Sequence, residues 1–383
     1  SCPLIFSQLL EVMFNLSDVA VVGRFADYRA LGSVGSTSLL VTLFTGFLIG
    51  MGAGVNVRVA HGLGAGNQKE TEETIHSSFL ICLVTGLIIC AVGLTSSRAF
   101  LTLLHTKDEL MEGAVNYLQI YSLGMPAMGL YNFGNGVMSA RGDTKRPLVY
   151  LLIAGVLNVI MNLIFVIGFH MAAEGVAIAS VMAQYTSAGL VLHHLWRRRD
   201  VCRLQLRKVR FHRMAGQAVL ILGIPGGLQQ AIFAIANLFV QAGVNSFDAV
   251  TVSGNAAAAN TDPLVYNSMF AFYTACASFM SRNLGAGKKE RVLKSYFICL
   301  IYAFSIGAVL GGFFFLFGDG FLSLFATEPA VIHAGKERLS IMAFSYAISA
   351  FMDCSIAASR GIGKSVAPTV IVILGSCVFR VIW

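Results

Sequence analysis

The chain has 383 residues, 56% hydrophobic and 12% charged, with a formal net charge of +8 and a mean hydropathy of +0.74. Soluble domains carry roughly 25% charged residues, so this one has about half the charge needed to coat a water-facing globule. A β-barrel would show ~10-residue alternating segments, and none appear in this sequence.

Apolar runs punctuated by Gly, Pro and charge give eleven spans, each long enough to cross a hydrocarbon core of ~30 Å as a helix. The first, 2–23, holds Pro3 and the polar residues Glu11, Asn15 and Asp18. Glu11 and Asp18 stand two helical turns apart and share a face with Asn15 between them. Spans 30–57 and 75–95 are joined by "HGLGAGNQK". Its glycines invite a phosphate-loop reading, but no strand precedes them and no G-K-[ST] follows; a tight turn is expected. Span 113–139 carries Tyr131, Asn132 and Asn135, span 148–169 carries Asn158 and Asn162, and span 175–195 carries Ser180, Gln184 and Tyr185. After the basic stretch "RRRDVCRLQLRKVRFHR" come spans 217–243, 250–280, 293–317, 337–358 and 367–383, which contain Asp262, Asp353 and Arg380. The first residue is Ser and the last span stops while still apolar, so the sequence reads as a fragment trimmed at both ends.

Twenty of the 27 Lys and Arg lie in or beside the even-numbered connections and six in or beside the odd-numbered ones. The positive-inside rule then puts the even connections and the N-terminus in the cytoplasm of a multi-pass cell-membrane protein. The basic stretch reads as a cytoplasmic loop beside lipid headgroups, with no nucleic-acid partner. The eight cysteines are scattered without a C-x-x-C pair, and neither they nor His193 and His194 suggest a metal or redox centre.

The sequence also repeats itself. Pro3, Gln8, Asn15 and Gly32 return as Pro225, Gln230, Asn237 and Gly254, "LGAG" at 63–66 returns at 284–287, and "SARGDTKRP" is echoed by "ASRGIGKSVAP". Two homologous halves of six spans are implied, related by a pseudo-two-fold axis along the membrane normal because six is even. The expected class is an all-α polytopic membrane protein of two six-helix lobes, with a twelfth helix missing from the fragment. The expected units are 1–196, a basic linker 197–216, and 217–383.

An ionisable group near the bilayer centre costs a few kcal/mol and usually faces protein or a water-filled cavity. Glu11, Asp18, Asp262 and Asp353 are such acids. Each Asn alone is explained by helix-to-helix bonding. Asp18 has no basic residue in the spans of the first half to pair with, so it is expected to bind a proton or a sodium ion. Asp262 and Asp353 have parallel places in the second half, although Asp262 could equally serve the proline break at Pro263.

With Pro3 fifteen residues before Asp18 in P-x14-D-x4-G, "ARGDTKRP" after the fourth span, and "VLNVIMN" followed by "EGVAIAS", the chain resembles the MATE (multidrug and toxic compound extrusion) transporters. The resemblance covers the whole sequence. It implies a monomeric antiporter, not an enzyme and without a cofactor, that exports organic cations across the lipid bilayer in exchange for H⁺ or Na⁺. It also implies Asp18 as the coupling residue with Asn158, Asn162 and Ser180 around it, where one branch of the family has Asn, Asp and Thr. Glu11, Asn15, Gln184, Asp262 and Asp353 are the candidates for the substrate cleft. The span-seven glutamate of another branch has no counterpart here. A related flippase of lipid-linked oligosaccharides is the rival reading; it calls for cations along the cleft to meet pyrophosphate. A lipid transferase would need clustered acids or histidines at a membrane face, and none is present.

Overall fold

The computed structural model describes residues 3, 5, 6, 10, 21, 28–244, 246–323 and 328–382. These are helical almost throughout, and seven of the described helices are long and apolar enough to cross a membrane. The first half contains α1 (Tyr28–Ala65), α2 (Gln68–Leu103), α3 (Asp108–Ser122), α4 (Met125–Arg141), α5 (Lys145–Leu163) and α6 (Ala173–Arg197). The second contains α7 (Arg213–Val244), α8 (Ala249–Ala259), α9 (Thr261–Gly285), α10 (Lys289–Leu322), α11 (Pro329–Gly361), α12 (Val366–Val372) and α13 (Phe379–Ile382).

Several expected spans are broken rods. The fourth splits into α3 and α4 just before Pro126, which sits in the first turn of α4. The carbonyl of Leu123 freed at that break accepts the Tyr185 hydroxyl of α6 at 3.0 Å, so the sixth span repairs the fourth. The eighth splits at Asn260, before Pro263, into α8 and α9. Proline removes a donor and clashes with the preceding turn, and both breaks follow from that.

The internal repeat has structural counterparts. Gly66 and Gly287 end the two "LGAG" segments with φ of +66° and +70°, and Gly142 and Gly363 do the same after α4 and α11 at +95° and +86°. Left-handed residues of this kind cap helices, and glycine takes the conformation without a Cβ penalty. Beyond Gly66, Asn67 accepts the Glu70 amide as N-cap of α2, so "HGLGAGNQK" is a capped turn. α5 runs on into a π-helical turn, Ile164–Gly168, and its counterpart α12 into another, Ile373–Val378.

One apolar core centres on Met51, Val55, Phe133, Val191 and Leu195, another on Met269, Phe272, Cys276, Tyr346 and Cys354. Outside them, Leu316, Phe317, Ile341, Phe344 and Ile348 stand exposed on α10 and α11. A continuous apolar exterior of that kind suits acyl chains rather than water.

The lobes meet through α1, α7 and α9. At Gly50 an added Cβ would lie 2.3 Å from the Gly227 backbone nitrogen, and at Gly54 it would lie 2.7 Å from that of Gly223. The Ser281 hydroxyl donates to the carbonyl of Val57 at 2.7 Å. All three contacts lie toward the basic connections. Toward the other end, the residues 237–243 of α7 are exposed.

The basic linker is folded down rather than loose. Lys208 pairs with Glu72 at 2.6 Å, and Arg141 pairs with Asp200. The Gln205 amide donates to Nε2 of the buried His76 at 3.1 Å, and the His212 amide to Ser77 Oγ at 2.9 Å. Because Nε2 accepts, the proton of His76 sits on Nδ1 and points to the Glu72 carbonyl at 2.7 Å. Burial in this docked linker pushes the Cys202 thiol above its ordinary range.

Candidate functional site

Three cavities run in series across the cleft. The first, about 450 Å³, lies in the N-terminal lobe and is lined by Thr37, Tyr117, Asn158, Ser180 and Gln184 among others. A middle one, about 380 Å³, is lined by Asn56, Asn132, Asn135, Gln230 and Asn267. The largest, about 800 Å³, lies in the C-terminal lobe beside Gln229, Tyr273, Asp353, Arg360 and Arg380. Thr42, Thr45 and Tyr131 belong to both the first and the second; Asn56, Gln230 and Tyr266 belong to both the second and the third. The polar walls are therefore continuous from lobe to lobe.

The structure brings Asn158, Asn162 and Ser180 together, with Asn158 and Ser180 on the N-terminal cavity's wall and Asn162 fully buried behind them. Asn162 and Asn158 are one turn apart on α5, and the Asn162 amide donates to Asn158 Oδ1 at 3.0 Å. The Asn158 amide in turn donates to Ser180 Oγ of α6 at 3.3 Å. All three side chains are buried. Gln184 follows Ser180 by one turn, and its buried Oε1 has no hydrogen-bond partner. That oxygen is packed against Gly124, where an added Cβ would meet it at 1.8 Å. Among the described residues, neither this cavity nor the middle one is lined by Asp, Glu, Lys or Arg. Asp18, Glu11 and Asn15 lie outside the described residues.

The second-half acids part company. Asp262 opens α9 and does not line the cleft cavities. Its carboxylate meets Arg338 of α11 at 2.7 Å and accepts the hydroxyl of the fully buried Tyr346, which also contacts Thr261 at 3.0 Å. A carboxylate at a helix N-terminus is favoured by the helix dipole, and here it bolts α9 to α11. Asp353 stays in the cleft, half-buried, with Tyr266, Tyr273 and Ser349 around the same cavity.

Arg360 is the residue that the sequence reading missed. It falls in the basic connection expected after span ten, yet α11 continues through it and turns it into the C-terminal cavity. Arg360 donates to Gln229 Oε1 at 2.7 Å, and its Nε is buried without a partner. The signal was present in the spacing, because Arg360 follows Asp353 by seven residues and so lies on the same face two turns on. Gln229 and Gln230, also missed, sit on α7, and Gln230 is the repeat partner of Gln8.

Solved transporters share this arrangement of helices. "Outward-facing conformation of a multidrug resistance MATE family transporter of the MOP superfamily" describes a structure matched with a TM-score of 0.92 at 20% identity, covering 99% of this chain and 85% of that one. Among curated proteins, "Probable multidrug resistance protein YpnP" of Bacillus subtilis is 28% identical over 348 residues, 90% of this chain and 77% of that protein. "Probable multidrug resistance protein NorM" of Thermotoga maritima is 22% identical over 384 residues, 96% and 80% of the respective chains. The MatE family model matches residues 3–164 and 225–383, one segment in each half, with α6, the basic linker and the start of α7 between them. With most of its length matched on both sides of the linker, this chain belongs to the MatE family of membrane transporters.

Proposed function

We infer that the protein exports small organic compounds, organic cations among them, in exchange for H⁺ or Na⁺. The observation that carries this reading is the hydrogen-bonded chain Asn162–Asn158–Ser180 on the wall of a cleft that crosses both lobes. Amide and hydroxyl oxygens there, together with the carboxylate of Asp18, would make a site for a hard cation or a proton. Ion occupancy that differs between the two openings of the cleft is what lets a gradient bias them.

The basic connections mark the cytoplasmic side in this reading, with the N-terminus on that side of a cell-membrane protein acting as a monomer. The lobes are apposed at that side, so the conformation faces outward. A lipid-linked oligosaccharide flippase would want cations along the cleft, and Arg360 and Arg380 do line its C-terminal cavity. The N-terminal and middle cavities are neutral in their described walls, which favours export.

Asp18→Asn keeps size and most hydrogen bonding but removes the titratable charge. In proteoliposomes it is expected to abolish gradient-driven ethidium export while the protein remains folded and inserted. Glu11→Gln should do less harm. Export by Asp18→Asn at the wild-type rate under an imposed gradient sinks the coupling role.

A further inference from the structure

We propose that the C-terminal cavity is a receptor for an anionic group, a phosphate or carboxylate, carried on a flat aromatic body. The inference rests on the export reading and widens its cargo beyond cations. Arg360 and Arg380 line this cavity with Asp353 as the one described carboxylate, so its described walls carry a formal charge of +1. Neither arginine lies within salt-bridge distance of a described acid; Arg360 donates to Gln229 and Arg380 to Asn237 at 2.5 Å, both neutral amides. The Nε of Arg360 remains a buried donor without an acceptor. A guanidinium presents a planar fork of donors that matches the oxygens of phosphate or carboxylate. Both hydrogen bonds go to neutral amides, so neither guanidinium is locked in a salt bridge, although Asp353 acts on Arg360 across the cavity.

The rest of the wall suits an aromatic body. Phe233, Tyr266, Phe270, Tyr273 and Phe379 supply ring faces and edges around about 800 Å³, within the ~300–1,000 Å³ typical of drug-sized ligands. Asp353 stands seven residues, about 10 Å of helix rise, from Arg360. Both face the same cavity, so a ligand with its anion on Arg360 meets Asp353 with a hydrogen-bond donor or a positive group.

Riboflavin and riboflavin 5′-phosphate test this, since they differ by the phosphate alone. Binding of each to the purified protein in neutral phosphatidylcholine nanodiscs is read from the flavin fluorescence. The phosphate should bind at least about tenfold more tightly, the effect of one charge-assisted hydrogen bond. That advantage should fall below about threefold in Arg360→Gln and Arg380→Gln, with Arg360→Lys retaining part of it. Arg380 is exposed, so its variant carries the test if Arg360→Gln fails to fold. Equal affinities for the two flavins, or a preference that survives in both glutamine variants, overturns the proposal. Discs with anionic phosphatidylglycerol separate the sources: a lipid headgroup in the cavity competes the preference away, and a free solute keeps it. Equal flavin affinities with intact wild-type ethidium export count against the anion receptor alone. Absent ethidium export with the phosphate preference intact counts against cation export alone.

Discussion

Gly50→Ala should pry the lobes apart at their basic end. The new Cβ would sit 2.3 Å from the Gly227 nitrogen and 2.6 Å from the Gly227 Cα and the Gly226 carbonyl carbon, where ordinary contact begins at 3.4 Å. Backbone faces backbone, so no side chain can swing away, and α1 and α7 must separate by about 1 Å. Overpacking of this degree costs about 1–3 kcal/mol. The conformation closed at the basic end should lose occupancy by about 5- to 150-fold relative to its alternative. Spin labels at the exposed positions Lys69 and Lys288 report the separation, and a cysteine at Ser281 reports solvent entry. The variant should lengthen the distance and uncover position 281 with no loss of folded protein. An unchanged distance distribution with a protected position 281 would falsify the close-packed closure.

Further outcomes follow from other parts of the structure. Arg338→Leu strips Asp262 of its ion partner; with both side chains about a quarter exposed, thermal unfolding should show a loss of about 1–2 kcal/mol, and an unchanged melting temperature argues that the pair is ornamental. His76→Ala removes the acceptor of the Gln205 amide, so trypsin should cut residues 197–213 faster than in the wild type while other sites are cut at the same rate. A cysteine at Lys288 should be labelled only from the cytoplasm and one at Gly168 only from outside; labelling of Lys288 in intact cells overturns the sidedness.

The helices were legible in the sequence because lipid imposes a long apolar run, which hydropathy reads directly. Their ends were not. α1 runs eight residues past the apolar segment at 30–57, and α11 begins eight residues before 337, since a helix continues into headgroups and water where hydropathy no longer marks it. α11 also runs three residues past 358, to Gly361, and that overrun hides Arg360 in an expected connection. Asp262 misled for a different reason: an acid in an apolar run signals the need for a partner, but not whether that partner is a ligand or Arg338 seventy-six residues on. The Asn158–Asn162 pair announced itself through its one-turn spacing. The docking of Gln205 on His76 and of Lys208 on Glu72 gave no local signal, because those partners are separated by more than a hundred residues.

The central claim is exchange, and one recording tests it most directly. Purified protein in liposomes is given an inward-directed H⁺ or Na⁺ gradient while ethidium movement and ion movement are followed together. The account predicts that ethidium runs against the ion, that collapsing the gradient stops it, and that adding ethidium alone drives the ion the other way. Ethidium flux that ignores both gradients, with no ion movement in return, would contradict it.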